Sequence, residues 1–135
     1  MKTVFADTLY WIAISNPNDD WHKQAVKVSS GLVEARLITT DEVLVEVLTF
    51  VAKGGLHSRA AAVALVKDIL GDPNITVVPQ TRDSFLSGLN LYESRLDKDY
   101  SLTDCVSMEA MRKRELTEVL THDHHFTQEG FTILL

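Results

Sequence analysis

Thr3-Val4-Phe5-Ala6-Asp7-Thr8 is the stretch that decides how this chain is read. Val4 to Ala6 predict a short strand buried on both faces, since an unbroken apolar run leaves no solvent side. Asp7 ends the run. An aspartate is poorly suited to a buried strand end, so its presence calls for a chemical reason. Leu9 to Ile14 are apolar nearly throughout and predict a short buried helix or turn. Asn16-Pro17-Asn18-Asp19 is turn chemistry, and Asn18 or Asp19 is placed to cap a helix running from about Trp21 to Val33.

Outward from that stretch, strands and helices alternate. Leu37 to Thr40 predict a second strand, with Asp41 as the N-cap of the helix that follows. Val43, Leu44, Val47, Leu48 and Val51 recur in that helix at helical spacing, and Gly54-Gly55 closes it. An alanine-rich helix is expected from Ser58 to Leu70, a third strand at Ile75 to Val78, and a helix from Thr81 or Asp83 through Leu96. After the polar loop Asp97-Lys98-Asp99-Tyr100 come a helix from Ser101 to Arg114, a fourth strand at Glu118 to Thr121 and a fifth at Phe131 to Leu135. No repeat or linker divides the chain, which reads as a single domain over residues 1–135. Strands separated by helices predict an α/β fold, with a parallel sheet of four or five strands and helices on both faces.

That topology gathers carboxylates. Ligand sites in such folds lie outside the carboxyl ends of the strands. Asp7 and Asp123 each follow a strand end. Glu46 lies early in the helix leaving the second strand, on the rim of its apolar stripe. Asp104 lies in the first turn of its helix, where Ser101-Leu102-Thr103-Asp104 also has the spacing of a capping box. Carboxylates ~4 Å apart repel by ~4 kcal/mol at an effective dielectric of 20. Helix N-termini return only ~0.3–1 kcal/mol each. Raised pKa values or a bound cation must make up the difference, and an all-oxygen ligand set favours Mg²⁺ or Mn²⁺.

Composition narrows the field. The chain is 45% hydrophobic and 24% charged, as soluble globular proteins are. Its net charge of -6 is unlike that of a purely electrostatic nucleic-acid binder, so phosphates would have to be met through bound cations or a local basic patch. The basic run Arg112-Lys113-Arg114 is a candidate phosphate contact, although cations at a helix end also complement its dipole. The lone Cys105 excludes an intramolecular disulfide and reads as a buried small hydrophobe. The early residues lack secretory-signal character and no apolar run is long enough to span a bilayer, so the expected location is the cytoplasm. His122, His124 and His125 flank Asp123, but such close neighbours cannot all point at one ion, and no zinc site is expected from them.

Four segments together carry a resemblance: Val4 to Thr8, Thr39 through Glu46 to Leu48, Tyr100 to Cys105, and Leu120-Thr121-His122-Asp123 with Phe126. In that order and over nearly the whole length, the chain resembles PIN-domain ribonucleases, most closely the toxin subunits of VapBC toxin–antitoxin pairs. The resemblance implies an α/β/α sandwich and a metal-dependent endoribonuclease. Its acids are Asp7, Glu46, Asp104 and Asp123, with Asp7, Asp104 and Asp123 holding Mg²⁺ or Mn²⁺. Thr8 and Thr121 match positions that orient the acids, and Asp99 is an outer candidate. The cleavage products would carry a 3′-hydroxyl and a 5′-phosphate. Also implied are an RNA substrate, a homodimer, and an antitoxin protein whose tail enters the acidic cleft. Leu9 departs from the small polar residue many relatives carry there. The alternative is a non-catalytic PIN-like module that binds RNA or a protein. Aspartate-nucleophile phosphatases are disfavoured because Leu9 stands where a second aspartate would be needed, and no glycine-rich phosphate loop follows any strand.

Overall fold

A computed structural model describes the chain from Met1 to Leu135. Its elements in order are β1 (Thr3–Ala6), α1 (Thr8–Ser15), α2 (His22–Ser30), β2 (Arg36–Thr40), α3 (Asp41–Phe50), α4 (Gly55–Gly71), β3 (Ile75–Val78), α5 (Arg82–Ser94), α6 (Leu102–Lys113), β4 (Glu118–Leu120), α7 (His124–Gln128) and β5 (Thr132–Ile133). The strands form one five-stranded sheet in the order β3-β2-β1-β4-β5. Every neighbouring pair is parallel. The expected α/β sandwich is therefore present, with the larger of the two anticipated strand counts.

β1 lies in the middle of the sheet, and that position accounts for its composition. Val4, Phe5 and Ala6 are fully buried. Phe5 pairs with Ile38 of β2 on one side and with Val119 of β4 on the other. With strands on both edges and helices over both faces, no position along β1 has solvent to face. Buried Thr39 donates to the carbonyl of Ala6 at 2.9 Å and so meets its own hydrogen-bonding need inside the core.

Several boundaries differ from the sequence reading. The N-cap of α3 is Thr40, whose hydroxyl accepts from Val43 N at 3.1 Å. Asp41 is instead the first helical residue, and its carboxylate accepts from Gln80 N. Asp19 does not cap α2 directly but holds the preceding turn, accepting from Trp21 N at 2.8 Å. Gly55 does not end α3; it opens α4 at a φ of +88°, a backbone conformation natural to glycine. Leu9 to Ile14 fall within α1, and most of that run is core.

The closest packing of helices is between α5 and α6. A Cβ at Gly88 would stand 2.5 Å from Val106 Cγ2 and 3.2 Å from Val106 N. Glycine is needed there so that the two helices can touch. This contact holds α6, and therefore Asp104 in its first turn, against the body of the fold.

Candidate metal centre

The parallel sheet puts the carboxyl ends of β1 and β4 side by side. Asp7 N donates to Leu120 O at 3.2 Å, so the ladder runs one residue beyond the end of β1, opposite the last residue of β4. Asp7 is 2% exposed and occupies the N-cap position of α1, yet its side chain makes no capping hydrogen bond. Its Oδ2 accepts from the hydroxyl of Thr121 at 2.9 Å, and its Oδ1 is buried without any partner. Burial pushes the Asp7 carboxyl up to about 7, the nearby charges of Asp104 and Glu46 push the same way, and the Thr121 hydroxyl and the Thr8 amide oppose them.

Asp104 carries two roles at once. It closes a reciprocal capping box with Ser101: Asp104 N donates to Ser101 Oγ and Ser101 N to Asp104 Oδ2, both at 3.0 Å. The same Oδ2 lies 3.2 Å from His125 Nδ1. Burial raises the Asp104 carboxyl above the usual range, Asp123 adds to the rise, and the Ser101 amide and His125 oppose it.

Asp123 is the N-cap of α7, with its Oδ1 accepting from His125 N at 2.9 Å. Its backbone N–H donates to Thr121 Oγ1 at 3.1 Å. Thr121 therefore ties Asp7 to the Asp123 turn with a single hydroxyl. Oxygen atoms of Asp104 and Asp123 and a ring nitrogen of His125 lie within 4.8 Å of one another. Asp7 and Glu46 fall outside that tightest set. Glu46, half-buried on α3, is near enough for its charge to act on Asp7.

The remaining expected residues divide. Thr8 is buried beside Asp7 and its hydroxyl has no partner. Asp99 is exposed in the loop before α6 and takes part in no ion pair or side-chain hydrogen bond with the acids. Arg112 is engaged elsewhere: it pairs with Glu129 at 3.1 Å and Glu109 at 3.5 Å, and lies over the Phe131 ring. Eight residues separate it from Asp104 on one helix, an axial distance of about 12 Å. Lys113 and Arg114 are exposed at that same far end. Cys105 is fully buried and its thiol is pushed up to about 11 by burial, as an inert core residue requires.

His125 is the residue the sequence reading set aside. The signal was present in Asp123-x-His125. An N-cap carboxylate that binds the amide two residues on draws that residue's side chain alongside itself. His122 and His124 diverge from it, with His122 stacked on Trp21 at 4.4 Å between ring centroids and His124 exposed.

The donor set suits a hard divalent cation. Three carboxylates converge, two of them buried, and a fully enclosed oxygen of Asp7 lacks any hydrogen-bond donor. A buried acceptor left unpaired costs ~1–3 kcal/mol. A cation would satisfy it and relieve the mutual repulsion of the acids at the same time.

The sequence profile of the PIN domain matches residues 4–131. The chain belongs to the PIN-domain family. Among its relatives is the 23S rRNA-specific endonuclease VapC20 of Mycobacterium tuberculosis, known from strains CDC 1551 / Oshkosh and H37Rv. It is 25% identical over 128 residues, which cover 95% of each chain. The crystal structure of VapC20, a Sarcin-Ricin loop cleaving toxin, matches with a TM-score of 0.86 over 96% of both chains. FitAcB from Neisseria gonorrhoeae shares the fold at a TM-score of 0.64 and 14% identity, with 98% of this chain and 96% of that one covered.

Proposed function

We propose that this protein is a metal-dependent endoribonuclease and the toxin of a toxin–antitoxin pair. Asp7 carries the reading: a buried carboxyl with an orphan oxygen, set among other acids at the carboxyl edge of a parallel sheet. Asp7, Asp104 and Asp123 would hold Mg²⁺ or Mn²⁺. A divalent cation there supplies charge against phosphate oxygens and acidity for water. Thr121 fixes the face Asp7 presents by occupying its other oxygen. Glu46, on α3 and less buried than Asp7, would orient the attacking water. Attack of water on phosphorus, with departure of the ribose 3′-oxygen, leaves a 3′-hydroxyl and a 5′-phosphate. Lys113 and Arg114, which form no ion pair, are the members of the basic run open to contact more distant phosphates.

The likeness to VapC20 makes 23S rRNA, with its Sarcin-Ricin loop, the first substrate to try. A toxin of this kind needs an inhibitor, and a protein tail reaching the acidic cleft is the expected one. Self-association fits the exposed apolar side chains Phe85, Leu86, Leu89 and Tyr92 along α5. Light scattering on the purified protein checks it, with a homodimer expected. No helix is long and apolar enough to cross a membrane. The decisive assay is cleavage of an RNA panel, including ribosomal RNA, with Mg²⁺ or Mn²⁺ and with chelator. Cleavage is expected with metal, none with chelator, and none with Asp7→Asn under any condition. Undiminished cleavage by Asp7→Asn would sink the mechanism. A folded protein that binds metal and cuts nothing would point to the binding-module alternative.

A further inference from the structure

We infer that His125 is a direct metal ligand through Nδ1, and that it turns an all-oxygen centre into a mixed one that prefers Mn²⁺ to Mg²⁺. The inference rests on the metal-dependent reading of the site and goes beyond its acidic residues. Nδ1 of His125 lies 3.2 Å from Asp104 Oδ2 and 3.3 Å from Asp123 Oδ1. Neither oxygen needs the imidazole for a hydrogen bond: Asp104 Oδ2 already accepts from Ser101 N, and Asp123 Oδ1 from His125 N. What remains is two carboxylate oxygens beside one ring nitrogen, all three atoms within 4.8 Å of one another. Ligand atoms ~2.1 Å from a shared cation stand ~3.0 Å apart in octahedral and ~3.4 Å apart in tetrahedral geometry. The two separations from Nδ1 fall between those values. The ring is prepared for the task, since its own backbone amide is held by Asp123 and its side chain packs against Tyr100 at 5.4 Å between centroids. The second pointer to a cation is independent of the histidine: the Oδ1 of Asp7 is buried and unpartnered, on a carboxyl close enough to Asp104 to feel its charge. Oxygen-only sites suit Mg²⁺, whereas an imidazole nitrogen shifts preference toward the later and softer divalent ions.

Electron spin-echo envelope modulation of Mn²⁺ bound to the full chain reads the ligand directly, without RNA and without turnover. Wild type is expected to show ¹⁴N coupling to one imidazole, replaced by ¹⁵N coupling when histidine is isotopically labelled. His125→Ala should lose the coupling, while His122→Ala keeps it. In calorimetric titrations, His125→Ala and His125→Gln should weaken Mn²⁺ binding about tenfold or more, and Mg²⁺ binding less than about threefold. Absent ¹⁴N coupling in wild type, coupling that survives His125→Ala, or failure to bind Mn²⁺ at all would overturn the assignment. The labelled wild-type spectrum shows whether any histidine binds the ion, and His125→Gln, which keeps a side chain of similar size, assigns it should His125→Ala fold poorly. Nuclease activity without ¹⁴N coupling would reject His125 and keep the proposed reaction. Coupling in a protein that cuts no RNA would do the reverse.

Discussion

Asp7 shows how far one residue can be read. An aspartate ending a buried apolar run was anomalous in sequence, and the structure makes it more so by enclosing the carboxyl and leaving Oδ1 without a donor. The energetic consequence has a definite sign. In the unfolded chain Asp7 ionises near 3.8, and in the folded, metal-free chain at about 7. Below the lower value both states are protonated and nothing is lost. Between the two values only the unfolded state releases its proton, so folding stability falls as pH rises, and the full cost is present above pH 7. Asp104 is raised as well and acts in the same direction. In chelator, thermal unfolding should therefore move to higher temperature as pH falls from about 7.5 to about 5.5, with most of this slope gone in Asp7→Asn. That variant should also melt higher than wild type at pH 8 in chelator, and differential scanning calorimetry over the pH range checks both. Thr121 supports two neighbours with one hydroxyl. Thr121→Val should cost ~1–3 kcal/mol in denaturant titrations, and about tenfold or more in cleavage rate. The residue that sequence alone did not reveal is His125. Three histidines in four positions look alike in sequence, and only the N-cap geometry of Asp123 singles one out.

Among the elements, the long periodic helices and the apolar strands were legible, and the short or capped pieces were not. α7 has five residues, His124 to Gln128, with a single apolar member, so no periodicity announces it. β5 is two residues long because only Thr132 and Ile133 meet β4 in register, although the apolar run extends to Leu135. The cap of α3 shifted by one residue because Thr40 and Asp41 both carry suitable oxygens, and strand geometry ends at the threonine. The α5–α6 contact could not be foreseen, since a glycine within a helix reads as a weakness until its neighbour is known. Gly88→Ala should destabilise the protein by ~1–3 kcal/mol through overpacking against Val106. Val106→Ala in the same chain should recover part of that loss despite its own cost, and chemical denaturation of the four members of the cycle measures the coupling. A Gly88→Ala protein as stable as wild type would mean that the helices separate freely.

At the scale of the whole molecule, the acidic balance is a consequence of the site as much as of the surface. Nineteen acidic residues face thirteen basic ones, and the acids gathered at the sheet edge have no basic side chain paired to them apart from His125. A cation binding only the folded chain stabilises it by ~2.7 kcal/mol at a hundredfold excess over its Kd. Mn²⁺ or Mg²⁺ should therefore raise the melting temperature of wild type, and Asp7→Asn should show little of the rise. An equal response in both would place the metal elsewhere. The strand order has one more consequence. β1 is made well before one of its neighbours in the sheet, β4 at residues 118–120, and the hydroxyl that holds Asp7 comes 114 residues later in the chain. During translation the ribosome therefore carries a chain whose cleft is unfinished until Thr121 and Asp123 have been made. A message broken or stalled before that point yields a fragment without Thr121 and Asp123, so the proposed nuclease is disarmed by topology until the last of its acids has been made.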